Sequence, residues 1–195
     1  MIKAPISSSI NLKNQIAIVT GAAGGIGEAV SLVLTREGAT VIGIDIVKPV
    51  KLMEKIKGSA QKCDLTSKKE IESLVNNIMV NYGKIVLIGS VAGKTGAISS
   101  GIHYNASKGA IHAYTHALAR YCAPFGIYVN CVAPGPCETN MTKNFRPQSM
   151  VAERFPLFRP GRPEDIAEAV LFLVSQSSNW MTGIVMDVNG GIYMS

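Results

Sequence analysis

The feature that most constrains this chain of 195 residues is a glycine-rich turn between an apolar run and an amphipathic segment. Residues 15–20 are apolar and β-branched, which predicts a buried strand, and residues 25–37 have the pattern of a helix. The turn that joins them reads Thr20-Gly21-Ala22-Ala23-Gly24-Gly25-Ile26-Gly27. A strand, a glycine turn and a helix form the start of a βαβ unit, whose helix N-terminus presents amides that favour an anion.

The next apolar run sharpens this prediction. Gly21, Gly25 and Gly27 allow a sharp turn and a close approach of phosphate, although nineteen glycines also make ordinary loops, which is the alternative. Thr40–Asp45 is a second β-branched run that ends in a carboxylate, near the spacing of roughly 20 residues at which an acid meets the ribose of a dinucleotide. Asp45 would bind the ribose hydroxyls and repel a 2′-phosphate, which favours NAD over NADP. An aspartate that merely ends a strand is the other interpretation.

Composition bounds the class of protein. A hydrophobic content of 47% with 16% charged residues is typical of a compact globule, and the length predicts one domain over residues 1–195. No apolar run is long enough to span a membrane, no signal-peptide pattern is visible, and the four cysteines lack metal-site spacing, which favours a cytoplasmic protein with reduced thiols. The net charge is +6, and many of the lysines lie in one stretch where acidic residues are mixed with them. This mixture favours a solvated surface over a nucleic-acid-binding surface.

Predicted strands and helices alternate along the chain. This alternation predicts a doubly wound α/β fold of the Rossmann type, with a mostly parallel sheet covered on both faces. The predicted strands are 15–20, 40–45, 59–63, 84–90, 127–133 and 184–188. The predicted helices are 25–37, 67–82, 104–123 and 165–175, with a short lysine-rich segment at 50–57.

A tyrosine and a lysine four residues apart, Tyr104 and Lys108, are predicted to be neighbours on one helix face. A cation within roughly 4–6 Å favours a phenolate, so the pair is suited to proton transfer near neutral pH. The alternative is that a tyrosine and a lysine have this spacing by chance and have no catalytic role. The pair follows a strand that ends in Ser90, whose hydroxyl at the carboxyl edge of the sheet could hydrogen-bond a carbonyl oxygen.

Two histidines, His112 and His116, have the i, i+4 spacing of metal ligands. No glutamate follows the first histidine and no third ligand is evident, so a surface or subunit-contact role is favoured. The sequence therefore predicts no metal site.

These motifs, in this order, resemble the short-chain dehydrogenase/reductase family, in its single-domain form similar to 3-oxoacyl reductases and sugar or steroid dehydrogenases. The turn at 20–27 matches the TGxxxGxG cofactor loop of the family, and the runs 159–167 and 187–191 resemble its C-terminal signatures. By this resemblance the catalytic residues are Ser90, Tyr104 and Lys108. The implied cofactor-binding residues are Gly21, Gly25, Ile26, Gly27, Asp45, Asp64, Leu65, Tyr104, Lys108, Pro134, Gly135 and Thr139.

The resemblance implies an NAD(H)-dependent oxidoreductase that transfers hydride between nicotinamide and a small alcohol or ketone. Tyr104 would exchange a proton with the substrate oxygen, Ser90 would steady that oxygen, and Lys108 would lower the pKa of Tyr104 and hold the ribose. Apolar residues between 136 and 160, a mobile lid in the family, indicate a partly apolar substrate. A homodimer or homotetramer is implied. A rival from another class is a non-catalytic nucleotide-binding or oligomer-forming member that lacks a complete site.

The chain departs from the family pattern at one place. Between about 82 and 85 the family carries a further strand, with an Asn-Asn-Ala-Gly motif, and a long helix, both apparently missing here. Asn76 and Asn77 lie inside the period of the 67–82 helix and do not replace that motif. Two arrangements are open: strand 84–90 moves over by about 4.8 Å and displaces Ser90, or two strands keep unpaired edges within the sheet.

Overall fold

The computed structural model of the chain describes residues 10–77, 83–96, 100–139, 142 and 152–194. Strands and helices alternate through these ranges, as the sequence predicts. The strands are β1 (Ile16–Thr20), β2 (Thr40–Asp45), β3 (Ser59–Lys62), β4 (Lys84–Ile88), β5 (Tyr128–Pro134) and β6 (Val185–Val188). The helices are α1 (Gly25–Arg36), α2 (Val50–Ile56), α3 (Lys68–Asn77), α4 (Ala92–Thr95), α5 (Ile102–Cys122) and α6 (Pro163–Val174).

The six strands form two parallel sheets of three strands each. β2 lies between β1 and β3 in the first sheet, and β5 lies between β4 and β6 in the second. The register sets Ile18 opposite Ile42 in the first sheet and Ile88 opposite Val132 in the second. The predicted doubly wound α/β class with parallel strands is confirmed.

β1 and β4 are both edge strands, and no bridge joins them in the ranges described above. The structure therefore has the second of the two expected arrangements, because β4 has not moved over to pair with β1. On β1, Ile16 and Ile18 are 58% and 44% exposed, whereas Ala17 and Val19 point to the opposite face and pack on the core.

One apolar core joins the two sheets. It contains Val19 of β1 and Val132 of β5 together with Ile166 and Leu171 of α6, and α6 packs directly on α1. α5 covers the opposite face of the second sheet, where Val129 of β5 contacts its buried side chains. Within the described ranges, no helix is both long and apolar enough to cross a membrane.

The structure adds two short helices to the sequence prediction and corrects the end of one strand. The lysine-rich segment is the helix α2, because Met53 is buried between the backbones of Gly43 and Gly58 and anchors one turn to the sheet. β4 ends at Ile88, so Ser90 follows the strand instead of ending it. The loop after Ser90 contains the short helix α4, which packs on α5. Residues 78–82, which end the predicted 67–82 helix, lie outside the described residues.

Candidate active site

The glycine turn between β1 and α1 has the geometry that its sequence predicts. Gly21 and Gly25 have φ angles of 66° and 58°, in the region that favours glycine. A Cβ atom on Gly27 would lie 2.1 Å from the carbonyl oxygen of Gly21, so only glycine fits there without a backbone shift. No described side chain caps the N-terminus of α1. The first-turn amides, including that of Ile26, can therefore bind an anion.

Asp45 ends β2 beside this turn. Its Oδ2 accepts the amide hydrogen of Ala23 at 3.0 Å, and its Oδ1 accepts that of Val47 at 3.2 Å. The carboxylate thus ties the glycine turn to the sheet and stays only partly buried. An acceptor in this position can bind ligand hydroxyls and repels a phosphate.

Asp64 and Leu65 follow β3 at the same edge of the first sheet. The amide of Cys63 donates to the carbonyl of Asp45 at 3.0 Å, so the two aspartates follow neighbouring strand ends. The Asp64 carboxylate accepts from the amide and hydroxyl of Thr66 at 2.8 and 2.7 Å, and these bonds lower the pKa of Asp64. Its carboxylate therefore holds the turn before α3, and Leu65 is exposed beside it.

Ser90, Tyr104 and Lys108 come from the end of β4 and the first turns of α5. Ser90 is buried, and its Oγ accepts the amide hydrogen of Ala92 at 3.2 Å. Lys108 Nζ lies 5.7 Å from the centre of the Tyr104 ring and donates to the carbonyl of Ile88 at 3.0 Å. Burial lowers the pKa of Lys108. The lysine thus lies between the tyrosine ring and the strand that leads to Ser90.

A close contact between α4 and α5 sets this arrangement. A Cβ atom on Gly93 would lie 2.6 Å from the carbonyl carbon of Lys108 and 2.7 Å from the amide nitrogen of Gly109. The two helices therefore meet backbone to backbone, and any side chain at Gly93 would push Lys108 away from the end of β4.

His112 lies one helical turn beyond Lys108 and is buried, with 8% of its surface exposed. Its Nε2 accepts the amide hydrogen of Ser90 at 3.5 Å, and burial is the main cause that lowers its pKa. The predicted surface position is therefore wrong for His112, although His116 is exposed. The periodicity of α5 carries the missing signal, because His112 shares the buried face with Thr115 and Ala119.

The segment after β5 forms the second wall of a crevice whose first wall is the glycine turn. The amide of Gly135, which follows Pro134, donates to the carbonyl of Val188 at 3.0 Å. Thr139 lies opposite the glycine turn, since a Cβ atom on Gly25 would be 3.8 Å from its side chain. This contact brings the carboxyl ends of the two sheets to the same side of the molecule, with the predicted cofactor residues on both walls.

A cavity of about 220 Å³ lies beyond Gly135. Its walls include Leu157 and Val188, and Arg159 and Asp165 form a two-bond ion pair at 2.6 and 2.9 Å beside it. Arg159 lowers the pKa of Asp165. Residues 140, 141 and 143–151 of the predicted lid lie outside the described residues. Among those described, no cluster of histidine, cysteine and acidic side chains is placed to hold a metal ion.

Comparison with known families identifies the family of the chain. The family profile described as short chain dehydrogenase matches residues 15–85, and the profile described as Enoyl-(Acyl carrier protein) reductase matches residues 74–193. Together the two matches extend from β1 to the segment after β6.

Individual relatives give the same result. The 3-oxoacyl-[acyl-carrier-protein] reductase FabG of Thermotoga maritima is 30% identical, over 94% of this chain and 99% of its own. The crystal structure of a short-chain dehydrogenase/reductase of Brucella melitensis, titled glucose/ribitol dehydrogenase, is 27% identical with a TM-score of 0.86, over 96% of this chain and all of its own. A Beutenbergia cavernae structure is described as an NAD(P)-dependent gluconate 5-dehydrogenase with bound NADP. It is 26% identical with a TM-score of 0.83, over 93% of this chain and 98% of its own.

A Rossmann-like sheet with a glycine turn at its carboxyl edge defines the class of nicotinamide-dependent oxidoreductases. Within this class the chain belongs to the short-chain dehydrogenase/reductase family, as an NAD(P)-dependent dehydrogenase or reductase.

Proposed function

We propose that the chain transfers hydride between NAD(H) and a small, partly apolar alcohol or ketone, with Ser90, Tyr104 and Lys108 as catalytic residues. The observation that carries this proposal is the position of Lys108 Nζ, 5.7 Å from the Tyr104 ring and bonded to the strand that leads to Ser90. The apolar cavity beside Gly135, with Leu157 and Val188 in its walls, supports a partly apolar substrate.

The contacts of each residue support its role. The nicotinamide cofactor would supply or accept the hydride. Tyr104 is 39% exposed, so its hydroxyl can reach a substrate and move a proton at the substrate oxygen. The Oγ of Ser90 already accepts from the amide of Ala92, which leaves its own hydrogen to donate to that oxygen. The ammonium of Lys108 lies beside the Tyr104 ring and has further hydrogens to donate to a ribose hydroxyl.

The cofactor would lie along the edge that carries the glycine turn. Gly21, Gly25, Ile26 and Gly27 would bind its diphosphate through the first-turn amides of α1. Asp64 and Leu65 would meet the adenine end. Pro134, Gly135 and Thr139 would hold the nicotinamide end, and the contact between Thr139 and Gly25 supports one continuous crevice for both ends.

Asp45 supports a preference for NAD over NADP. Its carboxylate is fixed beside the glycine turn by the amides of Ala23 and Val47, so a 2′-phosphate would meet a negative charge there. One solved relative, the Beutenbergia cavernae chain, contains NADP. We expect a higher kcat/KM with NADH than with NADPH. Asp45→Ser should reduce the ratio of kcat/KM with NADH to kcat/KM with NADPH by about tenfold or more. An unchanged ratio would contradict the role of Asp45 in cofactor preference.

The catalytic assignment is tested by the variant Tyr104→Phe. Loss of the phenol should lower kcat by about 100-fold or more, as measured by nicotinamide absorbance with a panel of secondary alcohols and ketones. Tyr114→Phe is the matched control, because Tyr114 lies on the exposed surface of the same helix. Turnover that persists in the Tyr104 variant would remove this residue from the mechanism.

A second candidate function is binding of the dinucleotide without catalysis. It is favoured by the open edges of β1 and β4, because the strand and helix that the family carries there are missing from the sequence. Both functions predict that NADH binds, as measured by calorimetry. Only the enzyme is expected to turn over any member of the substrate panel.

Three coarser proposals complete this picture. Residues 1–195 form one domain, which is supported by the core that contains side chains of both sheets. The protein works in the cytoplasm, which is supported by four buried free thiols. It forms a homodimer or homotetramer, which is supported by the exposed aromatic side chains of Tyr121, Phe125 and Trp180.

A further inference from the structure

β1 and β4 each have one edge that pairs with no strand among the described residues. In a parallel sheet, the amide and carbonyl of one residue point to one side, and those of the next residue point to the other. The carbonyl of Gln15 accepts from Thr40, so alternate residues of β1 face β2, and Ile16 and Ile18 direct their backbone groups away from it. The amide of Gly89 donates to Val132, so Ile88, like Val86 before it, points away from β5.

The two edges have the same polarity and share one supporting layer. The contact between Gly25 and Thr139 brings the carboxyl ends of β1 and β5 to the same side. Val19 of β1, Val86 of β4 and Ile166 of α6 pack in the same core, so helices support both edges from one face. On the other face of β1, Ile16 and Ile18 are exposed. We call the space between β1 and β4, with these two side chains, the slot.

A relative of the chain possesses residues that this chain lacks. The alignment with the Thermotoga maritima reductase runs over 244 positions but includes only 94% of the 195 residues, so about 60 positions of the relative face no residue of this chain. A central strand takes about 5–6 residues and a covering helix about 11–12, so about 60 residues suffice for a strand, a long helix and their connections.

We propose that the slot binds a parallel β-strand supplied by a second polypeptide, followed by an amphipathic helix that covers Ile16 and Ile18. A strand in this place is buried on both faces, so its sequence is a short run of β-branched apolar residues without proline. Its amides pair with carbonyls on both edges, which gives it a fixed direction parallel to β1 and β4.

Occupation of the slot also acts on Lys108, a step that rests on the proposed function. The carbonyl of Ile88, which faces the slot, accepts from Lys108 Nζ at 3.0 Å. An inserted strand donates an amide to this carbonyl instead and releases the ammonium toward Tyr104. The slot therefore positions the catalytic lysine, and turnover rises when the strand is bound.

The test uses the whole chain and, as probe, a synthetic peptide that contains the segment of the Thermotoga maritima reductase without a counterpart here. Hydrogen exchange of single amides is measured by nuclear magnetic resonance with and without the peptide. The amides of Ile18 and Val86 should slow by about tenfold or more, because they point into the slot. The amides of Ala17 and Leu87, which point to the partner strands, should change little. A scrambled peptide should have no effect.

Two matched variants sharpen the result. Ile18→Pro removes one donor that faces the slot and leaves the ladder with β2 intact, so it should weaken peptide binding by roughly fivefold to tenfold. Ile18→Val keeps the amide and should bind within about twofold. If the proline variant fails to fold, a peptide methylated on one backbone nitrogen of its strand provides the same loss of one bond.

The outcomes separate the two proposals. Equal exchange at all four amides with and without the peptide overturns the slot proposal. Slowing at Ile18 and Val86 that depends on protein concentration without any peptide also overturns it, because a second copy of the chain then pairs with these edges. Protection with the expected alternation supports the slot. If NADH binds but turnover stays absent with the peptide bound, the link to Lys108 and the proposed catalysis fail, while the slot proposal stands.

Discussion

The imidazole of His112 and the backbone amide of Ser90 meet below the end of β4 in a buried place. The hydrogen bond requires a neutral acceptor at Nε2, and burial disfavours the cation, as do the positive charge of Lys94 and, more weakly, His116 and Lys108. Asp187 acts in the opposite direction. The neutral form of His112 is therefore part of the support for Ser90, and it makes the stability of the chain sensitive to acid.

The variant His112→Asn is expected to remove part of this acid sensitivity. The folded-state pKa of His112 lies below its ordinary value of 6.5, so the unfolded chain binds more protons as the pH falls. The contribution to stability is fully present above about pH 6.5 and is lost as the pH falls through the folded-state pKa. The measurement is the free energy of unfolding in urea between about pH 7 and 5. His116→Asn, at an exposed position, is the control, and an unchanged slope in His112→Asn contradicts the assignment.

Gly27 and Gly24 offer a sharp comparison within one turn. A Cβ atom on Gly27 would lie 2.1 Å from the carbonyl oxygen of Gly21, whereas one on Gly24 would meet no atom within 4 Å. Gly27→Ala should therefore lower the free energy of unfolding by about 2–4 kcal/mol and weaken NADH binding. Gly24→Ala, which changes the N-cap of α1, should cost less than about 1 kcal/mol. Equal losses in urea denaturation would show that the turn relaxes freely around Gly27.

Among the elements, β4 depends on contacts far along the chain, because one of its edges has no neighbouring strand in the part of the chain that the structure describes. Lys84 at its start donates to the carbonyl of Ser175, to Ser178 Oγ at 2.9 Å and to Asn179 Oδ1 at 2.9 Å. Its Nζ also lies 5.1 Å from the centre of the Tyr128 ring. These partners follow the C-terminus of α6, where the helix dipole favours a cation. Lys84 therefore fastens the open strand to the helix that supports both sheets.

Lys84→Met is expected to weaken the attachment of β4 to the segment after α6. The change keeps an apolar stem but removes a donor from two buried acceptors, the Ser175 carbonyl and Ser178 Oγ, and from the exposed Asn179 Oδ1, which should cost about 2–3 kcal/mol of unfolding free energy. Lys68→Met is the matched control, since the Lys68 side chain is 90% exposed and its ion pair with Glu72 at 3.7 Å is worth at most about 0.5 kcal/mol. Chemical denaturation of both variants measures the difference, and equal small effects would contradict the role of Lys84.

At the scale of the whole molecule, local patterns predict the elements but not the open edge. The apolar, β-branched run of β1 and the glycines of the following turn are local signals, and they correctly predict the strand, the turn and the helix. The run Ile85–Ile88 is apolar whether or not a second strand lies beside it, so its sequence cannot reveal which edge is paired. The bonds of Lys84 join residues more than 90 positions apart, and no local pattern encodes them. Strand number and sheet closure depend on such distant contacts.

The shared core makes a prediction about cooperativity. Leu171 of α6 is 3% exposed and packs in the cluster that contains Val19 of β1 and Val132 of β5. Leu171→Ala should cost about 2–5 kcal/mol, and because the cluster belongs to both sheets, hydrogen-exchange protection should fall equally at the amides of Val19 and Val132. Val129→Ala, in the smaller cluster under α5, should lower the protection of β5 through a local opening and affect β1 less. Loss of protection in β5 alone after Leu171→Ala would mean that the sheets unfold separately. Residues 1–195 would then not be one domain, because the contact between α1 and α6 would be too weak to replace a central strand.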